Sequence, residues 1–415
     1  MINDKATHDP SFPTLHIRPP SGWMNDPNGV SLIDGRYHVL FQYNPHSPQP
    51  PAIQWGHASS TDLITWDHHP VALVDRPGMI DAAGCWSGCV VDDHGVPTAV
   101  YSAIPDSPDH ASVVLARSDR TMINWQQDER PVAGPPTRPG VIEARDPYVF
   151  SHQGRRFAIQ GAGGRGCEPV ILLYSCDDLT EWTELDPLLD YGDPVARGVA
   201  PAETWECPNL FPLDGRWVLL VSTWGEPGLD NSSYLIGDLQ PSGEGLRFVA
   251  ETGGRLDQDT SFYAPQALVT DDRVLLWGWA REGERPPELA DSDWTGVLTF
   301  PRELGITDGV LHSRPAEEIA ELRAARLPAD QPITAAAFEI HAPDGISLRL
   351  AADGDQDPLT IDEDVRLLVD GSLIEAFPSG GSPITARRYP TDRSGWIADG
   401  PGLTVVELAA TRSAG

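Results

Sequence analysis

Positive charge is scarce in this chain of 415 residues: Lys and Arg number 29 against 61 Asp and Glu, a formal net charge of −32. A polyanion such as nucleic acid, or an anionic bilayer, is repelled by such a surface, so neither is an expected partner. Long apolar runs are missing too. No stretch approaches the roughly 18 residues of a membrane helix, and the opening "MINDKATHDPSFPTLH" has no basic start followed by an apolar segment. The expectation is a soluble, cytoplasmic protein whose mature chain starts where the sequence does. Cysteine is sparse and odd in number: Cys85, Cys89, Cys167, Cys176 and Cys207. Cys85 and Cys89 lack the second pair or nearby histidine ligands of a zinc site, so reduced thiols and no metal are expected.

What the sequence does contain is a repeat. The form apolar run, tight turn, apolar run appears as "GVSLIDGRYHVLFQY" from Gly29 and "GCVVDDHGVPTAVYSA" from Gly88. It returns as "YVFSHQGRRFAIQGA" from Tyr148, "NLFPLDGRWVLLVST" from Asn209 and "QALVTDDRVLLWGWA" from Gln266. Asp-Gly and Gln-Gly pairs between β-rich runs mark hairpins, because glycine accepts the positive φ of the turn. Ahead of these hairpins, Asp26, Trp86, Asp146 and Glu206 fall 60 residues apart, and "SFYAPQ" continues the phase. Between them "TDLITW", "RTMINW" and "DDLTEW" each end on a tryptophan, Trp66, Trp125 and Trp182, read as recurrent core anchors.

A unit of about 60 residues with roughly four short strands cannot bury both faces alone, and radial stacking of such units makes a β-propeller. The fold expected is therefore all-β: an N-terminal extension over 1–15 and a five-bladed propeller over 16–312. Beyond it "SRPAEEIAELRAARL" predicts a short connecting helix within 313–330, with Ile319 and Leu322 on its apolar side. Runs with strand-like alternation, including "VRLLVDGSLIEAF", predict a small β-sandwich over 331–415.

By itself "NDPNG", around Asp26, is an ordinary turn. The repeat changes its meaning, because equivalent positions of a propeller converge on its central channel. Asp26, Asp146 and Glu206, each followed by proline one or two residues later, are then drawn into one pocket, where crowding raises the pKa of at least one. Convergent carboxylates suit glycoside hydrolysis: Glu206 is the better candidate acid, and the aspartates remain for nucleophile and stabiliser. Calcium would need about six to eight oxygen ligands, usually from closely spaced acids in one loop, and no such loop is visible.

The ordered motifs "WMNDPNG", "FQYNP", "WGHASSTDLITW", "WSGCVV", "ARDPYVF", "WECPNLF", "FYAPQALV", "LLWGWA", "LTFPREL" and "VRLLVDGSLIEAF" resemble glycoside hydrolase family 32, the β-fructofuranosidase or invertase family, from about His16 to Tyr389. The resemblance implies a five-bladed propeller with an appended sandwich, retaining cleavage of β-fructofuranosides, and no cofactor. It makes Asp26 the nucleophile, Asp146 the stabiliser and Glu206 the acid/base, with about 5 to 5.5 Å between Asp26 and Glu206 for a retaining route. It further implies that Asn25, Gln42, Trp55, Ser87, Arg145 and Trp279 line the fructosyl subsite, with Trp86 as an apolar wall. Arg145 is expected to hold Asp146 ionised, and Cys207 to pack beside Glu206 and tune it. Two departures from the commoner pattern, prolines in "NPHSPQPPAIQWGH" in place of a tryptophan and Ser261 in place of an acid before "FYA", concern the leaving-group side. The expected substrate is a small neutral sugar, sucrose or a short fructo-oligosaccharide. The alternatives are fructosyl transfer, a sucrose 6-phosphate substrate using Arg165, Arg197 and Arg281, or a non-catalytic fructan-binding propeller. Oligomeric state is not legible.

Overall fold

The computed structural model describes residues 8–226, 228–352 and 357–410. Among them no helix is long and apolar enough to cross a membrane. Up to Pro315 the chain forms antiparallel four-stranded meanders. The first comprises Gly22–Ile33, Arg36–Asn44, Gln54–Ser60 and Asp67–His68. The second runs Gly84–Asp93, Val96–Ile104, Ser112–Ser118 and Trp125–Gln127; the third Glu143–His152, Arg155–Gly163, Val170–Ser175 and Thr183–Glu184. The fourth holds Thr204–Leu213, Arg216–Gly225, Gly228–Ser242 and Gly245–Arg255, and the fifth Phe262–Val269, Val274–Ala280, Arg302–Thr307 and Val310–Pro315.

Four of the five hairpins read from the sequence have the backbone it anticipates. Asp34-Gly35, His94-Gly95, Gln153-Gly154 and Asp214-Gly215 have positive φ at both positions, as a two-residue turn matched to strand twist requires. The fifth, at residues 270–273, has no positive φ, and Asp308-Gly309, in a later hairpin of the same meander, has it instead. The first strands of successive meanders lie side by side, and the fifth lies against the first, so the set closes on itself. Trp294-Thr295 pairs in parallel with Gly22-Trp23, tying the end of the array to its beginning.

Side chains of these inner strands bridge every junction. Asn28 Oδ1 accepts from Gly88 N at 3.1 Å, and Cys89 Sγ from Val149 N at 3.4 Å. Asp146 Oδ2 accepts from Cys207 N at 2.9 Å, and Asn209 Oδ1 from Ala267 N at 3.0 Å. Gln266 closes the ring: its Oε1 accepts from Val30 N and its Nε2 donates to Gly88 O, both at 2.8 Å. Apolar clusters fill the spaces between adjacent sheets, such as Phe211, Phe262 and Leu276 between the fourth and fifth meanders.

The connector differs from the expected helix. Residues 310–315 are strand, Glu317–Leu322 is a single 3-10 helix, and Arg323–Leu327 is already strand, paired with Thr404–Leu408. Ile319 and Leu322 are both buried. A spacing of three fits the three-residue turn of a 3-10 helix, and the exposed Arg323 and Arg326 beyond it offer no apolar stripe for an α-helix. The boundary expected at 312 thus falls inside a strand, and the second sheet system starts at Arg323 rather than 331. That system packs a six-stranded sheet against a three-stranded one around Phe338, Ile340, Leu348, Leu367 and Trp396. Residues of the N-terminal extension dock on it: the Asp370 carboxylate accepts from Thr14 N at 2.8 Å and Leu15 N at 2.7 Å.

A buried polar knot joins the two parts. Arg302 pairs with Glu375 at 2.7 Å and with Asp257 at 3.1 Å, and His16 lies between Asp370 and Glu375.

Replacing Gln266 by Leu leaves the Val30 N–H and the Gly88 carbonyl buried without partners, at about 1–3 kcal/mol each. A lowered urea midpoint is expected; an unchanged midpoint would show that ring closure does not depend on this side chain.

Candidate active site

Each inner strand carries one extra residue at the same level. In the first copy Met24 pairs with Tyr43 but Pro27 with Phe41; in the second Trp86 pairs with Ser102 but Gly88 with Tyr101. In the third, fourth and fifth copies the slips lie between Arg145 and Tyr148, Glu206 and Asn209, and Tyr263 and Gln266. Such β-bulges disrupt strict alternation and re-aim side chains. Asp146, Cys207 and Ala264 hold positive φ of 58°, 47° and 46°, strained values for residues other than glycine.

Aligned on the proline that follows, the equivalent residues are Asp26, Asp146, Cys207 and Ala264, with Ser87 before Gly88 in the second copy. Asn25, Trp86, Arg145, Glu206 and Tyr263 precede them by one. The 60-residue spacing therefore misaligns the copies: Glu206 is the counterpart of Arg145, not of Asp26 and Asp146. The proline was the better ruler, since it marks the bulge itself.

The bulges open onto a cavity of about 180 Å³ lined by Asn25, Asp26, Gln42, Trp86, Arg145, Asp146, Glu206, Cys207, Tyr263 and Trp279, with Trp23, Pro50, Ile53 and Leu229 among its walls. All three acids expected from the sequence meet there. Asn25 Oδ1 and Trp279 Nε1 are buried without a protein partner, leaving an acceptor and a donor for a ligand. Ser87 lies beneath the floor, donating to Asp26 Oδ2 at 2.7 Å and accepting from Gln42 Nε2 at 2.6 Å.

Other expectations need correction. Trp55 is fully buried and absent from the lining; its Nε1 donates to Trp86 O at 3.2 Å, so it supports the wall from behind. Arg145 makes its ion pairs with Glu206 and Glu143, both at 2.8 Å, and acts on its neighbour Asp146 through charge alone, lowering it as expected. Cys207 Sγ sits 3.7 Å from Asp26 Oδ2 and 3.5 Å from Asp146 Oδ2, so the thiol touches the two aspartates and not Glu206. Tyr263, which sequence reasoning passed over although it stands in "SFYAPQ", donates to the Glu206 carboxylate.

Burial pushes Asp26 up to about 7, helped by the charges of Asp146 and Glu206 and opposed by the Ser87 hydroxyl. Burial likewise raises Asp146 to about 6, although Arg145 and Cys207 pull it down. Two carboxyls are thus raised by burial, and the cavity's arginine pairs with the third acid, Glu206, while Asp26 has no cation within pairing distance. Among the described residues no group of three or more His, Cys, Asp or Glu side chains is arranged to hold a metal ion.

Three carboxylates around a ring-sized cavity, one backed by a guanidinium and a phenol, define a site for acid/base and nucleophilic chemistry at an acetal carbon. Residues 16–315 match the glycosyl hydrolases family 32 N-terminal domain, and the chain belongs to that family. It is 33% identical over 327 residues to raffinose invertase and 35% over 329 residues to sucrose-6-phosphate hydrolase, both of Escherichia coli; each alignment covers 75% of this chain and 66% of the relative. The chain thus spans just under two thirds of the length of those proteins. A sucrose-6-phosphate hydrolase of Bacillus subtilis is 28% identical over 92% of this chain and 90% of its own. Among solved structures, a family 32 β-fructofuranosidase of Bombyx mori superposes with a TM-score of 0.83 at 25% identity, over 98% of this chain and 96% of that one.

The raised Asp26 makes a stability prediction whose sign is fixed. Its folded value lies above the unfolded one, so the advantage of holding this proton is complete below about pH 4 and is lost as pH rises through 7. Asp26→Asn has no such loss. It should melt several degrees above the parent at pH 8, with the gap closing at pH 4; a variant that melts lower at pH 8 would contradict the burial argument.

Proposed function

We propose that the protein is a retaining β-fructofuranosidase that hydrolyses terminal β-D-fructofuranosyl bonds of sucrose or short fructo-oligosaccharides. The reading assigns residues 16–315 to a five-bladed β-propeller, 316–322 to the connector and the described residues from 323 on to a β-sandwich. What carries it is the meeting of Asp26, Asp146 and Glu206 in one cavity, with Ser87 beneath Asp26 and Arg145 and Tyr263 on Glu206. Family membership supports it, as do the activities named for the relatives. Five free cysteines suit a reducing compartment such as the cytoplasm.

In this mechanism Asp26 attacks the anomeric carbon of the fructosyl unit while Glu206 protonates the bridging oxygen, releasing the first sugar. Glu206 then takes a proton from water, the water oxygen bonds to the same carbon, and Asp26 leaves as carboxylate. Asp146 accepts hydrogen bonds from ring hydroxyls, Asn25 and Trp279 meet others, and Trp86 packs against the apolar ring face. The first step requires Asp26 ionised and Glu206 protonated. Ser87 stabilises the charge on Asp26; Tyr263 and Arg145 set the orientation of Glu206.

The test is fructose release from sucrose, kestose, raffinose, inulin and levan. Asp26→Asn and Glu206→Gln should each lower kcat on the best substrate by about 10³-fold or more; release from none by the parent, or full turnover by either variant, would reject the assignment. With sucrose, kcat/KM should fall on the acid side between about pH 7 and 6, the values to which Asp26 and Asp146 are pushed. A fall only near pH 4 would mean that neither aspartate must lose its proton in that range.

A further inference from the structure

The leaving group is the open term of that mechanism, and the mouth of the cavity speaks to it. Glu206 hands its proton to the oxygen of the breaking bond, so the surfaces beyond Glu206 meet the departing sugar. Pro50, Ile53 and Leu229 supply apolar walls of the cavity. Next to Leu229 stands Arg281, whose guanidinium lies over the Tyr263 ring at 5.5 Å. Its Nη1 donates to the carbonyls of Leu229 and Thr260, each at 3.2 Å.

The charges around Arg281 are acidic: Glu206, Asp230 and Asp259 all act on it. Asp230 is exposed, its carboxylate accepting from Asn231 at 2.7 Å, and Asp259 accepts from Ser261 N at 3.1 Å. Neither Arg165 nor Arg197, the other arginines named by the sequence for a phosphate, lines the cavity. Arg145 is paired with Glu206 and Glu143, Arg165 with Glu226 at 2.8 Å, and Arg197 stands exposed on the short helix Pro194–Val199. The sequence has a single lysine, Lys5, outside the described residues. A phosphate bears about −1.5 to −2 charges at neutral pH and is recognised by clustered cations in forked geometry. Here it would meet Arg281, whose charge is already offset by Asp230 and Asp259.

We propose that the departing group is a neutral sugar, seated against Pro50, Ile53 and Leu229 with Arg281 donating to one of its hydroxyls, and that Asp230 and Asp259 exclude a phosphorylated one. This rests on the roles given above to Asp26 and Glu206. It turns two departures visible in the sequence, the prolines around Pro50 and Ser261, into a statement of specificity.

Initial rates on sucrose and on sucrose 6-phosphate, at low and high salt, test it. Sucrose should be preferred in kcat/KM by about tenfold or more. Salt screens repulsion, so it should raise kcat/KM for the phosphorylated substrate while leaving sucrose nearly unmoved. The paired change Asp230→Asn and Asp259→Asn should narrow the preference, and Arg281→Ala should raise KM for sucrose. Equal or better use of sucrose 6-phosphate, or a rate on it that falls with salt, would overturn the exclusion; an unchanged KM in Arg281→Ala would remove that contact. No release from either substrate would instead defeat the underlying hydrolase reading.

Discussion

A β-strand alternates its side chains between two faces, so neighbouring residues cannot ordinarily reach the same cavity. The bulge repeated in the inner strands lifts that restriction. Because of it Asn25 and Asp26, Arg145 and Asp146, and Glu206 and Cys207 all enter the lining of one pocket as adjacent pairs. Two functional side chains per strand end is what lets so small a cavity hold an acid trio together with the arginine that steadies one of them. The strain is met locally. Asp146 N donates to Ser102 Oγ at 2.8 Å, Ala264 N to Ser222 Oγ at 3.0 Å, and Cys207 N to Asp146 itself.

Structure and chemistry share atoms at this level. Asn28, Cys89, Asn209 and Gln266 bridge four junctions between inner strands, and Asp146 bridges the remaining one. One carboxylate therefore both holds the third meander to the fourth and faces the cavity. Its neighbour Asp26 contributes nothing comparable: it is buried, opposed by two acids, and relieved by the Ser87 hydroxyl and its own backbone N–H. A group kept where it costs folding stability is a mark of function rather than architecture. Arg145 sharpens the contrast, since it pairs with Glu206 and its charge also lowers Asp146, while Asp26 gains no such relief.

The hairpin repeat was legible because turn chemistry is local: Asp34-Gly35 or Gln153-Gly154 imposes its backbone wherever it occurs. So was the meeting of Asp26, Asp146 and Glu206 in one cavity, because the repeat carries each of them to the start of an inner strand. The offset between Asp26 and Glu206 was hidden, since an unpaired extra residue shows only in the register with a partner strand. Trp55 reads like Trp86 in sequence, yet one is sealed behind the other. Ile319 and Leu322 announced a helical turn, but its extent depended on the sheet that captures Arg323–Leu327.

The sequence by itself determined which residues turn, which strands alternate, and which acids are available, because those properties belong to side chains and their immediate neighbours. Only the tertiary structure decided which acid faces the arginine and which aspartates carry the raised pKa. Those outcomes depend on burial and on distances between residues far apart in the chain, such as Tyr263 and Glu206 or Ser87 and Asp26, and these exist only after the meanders close on one another.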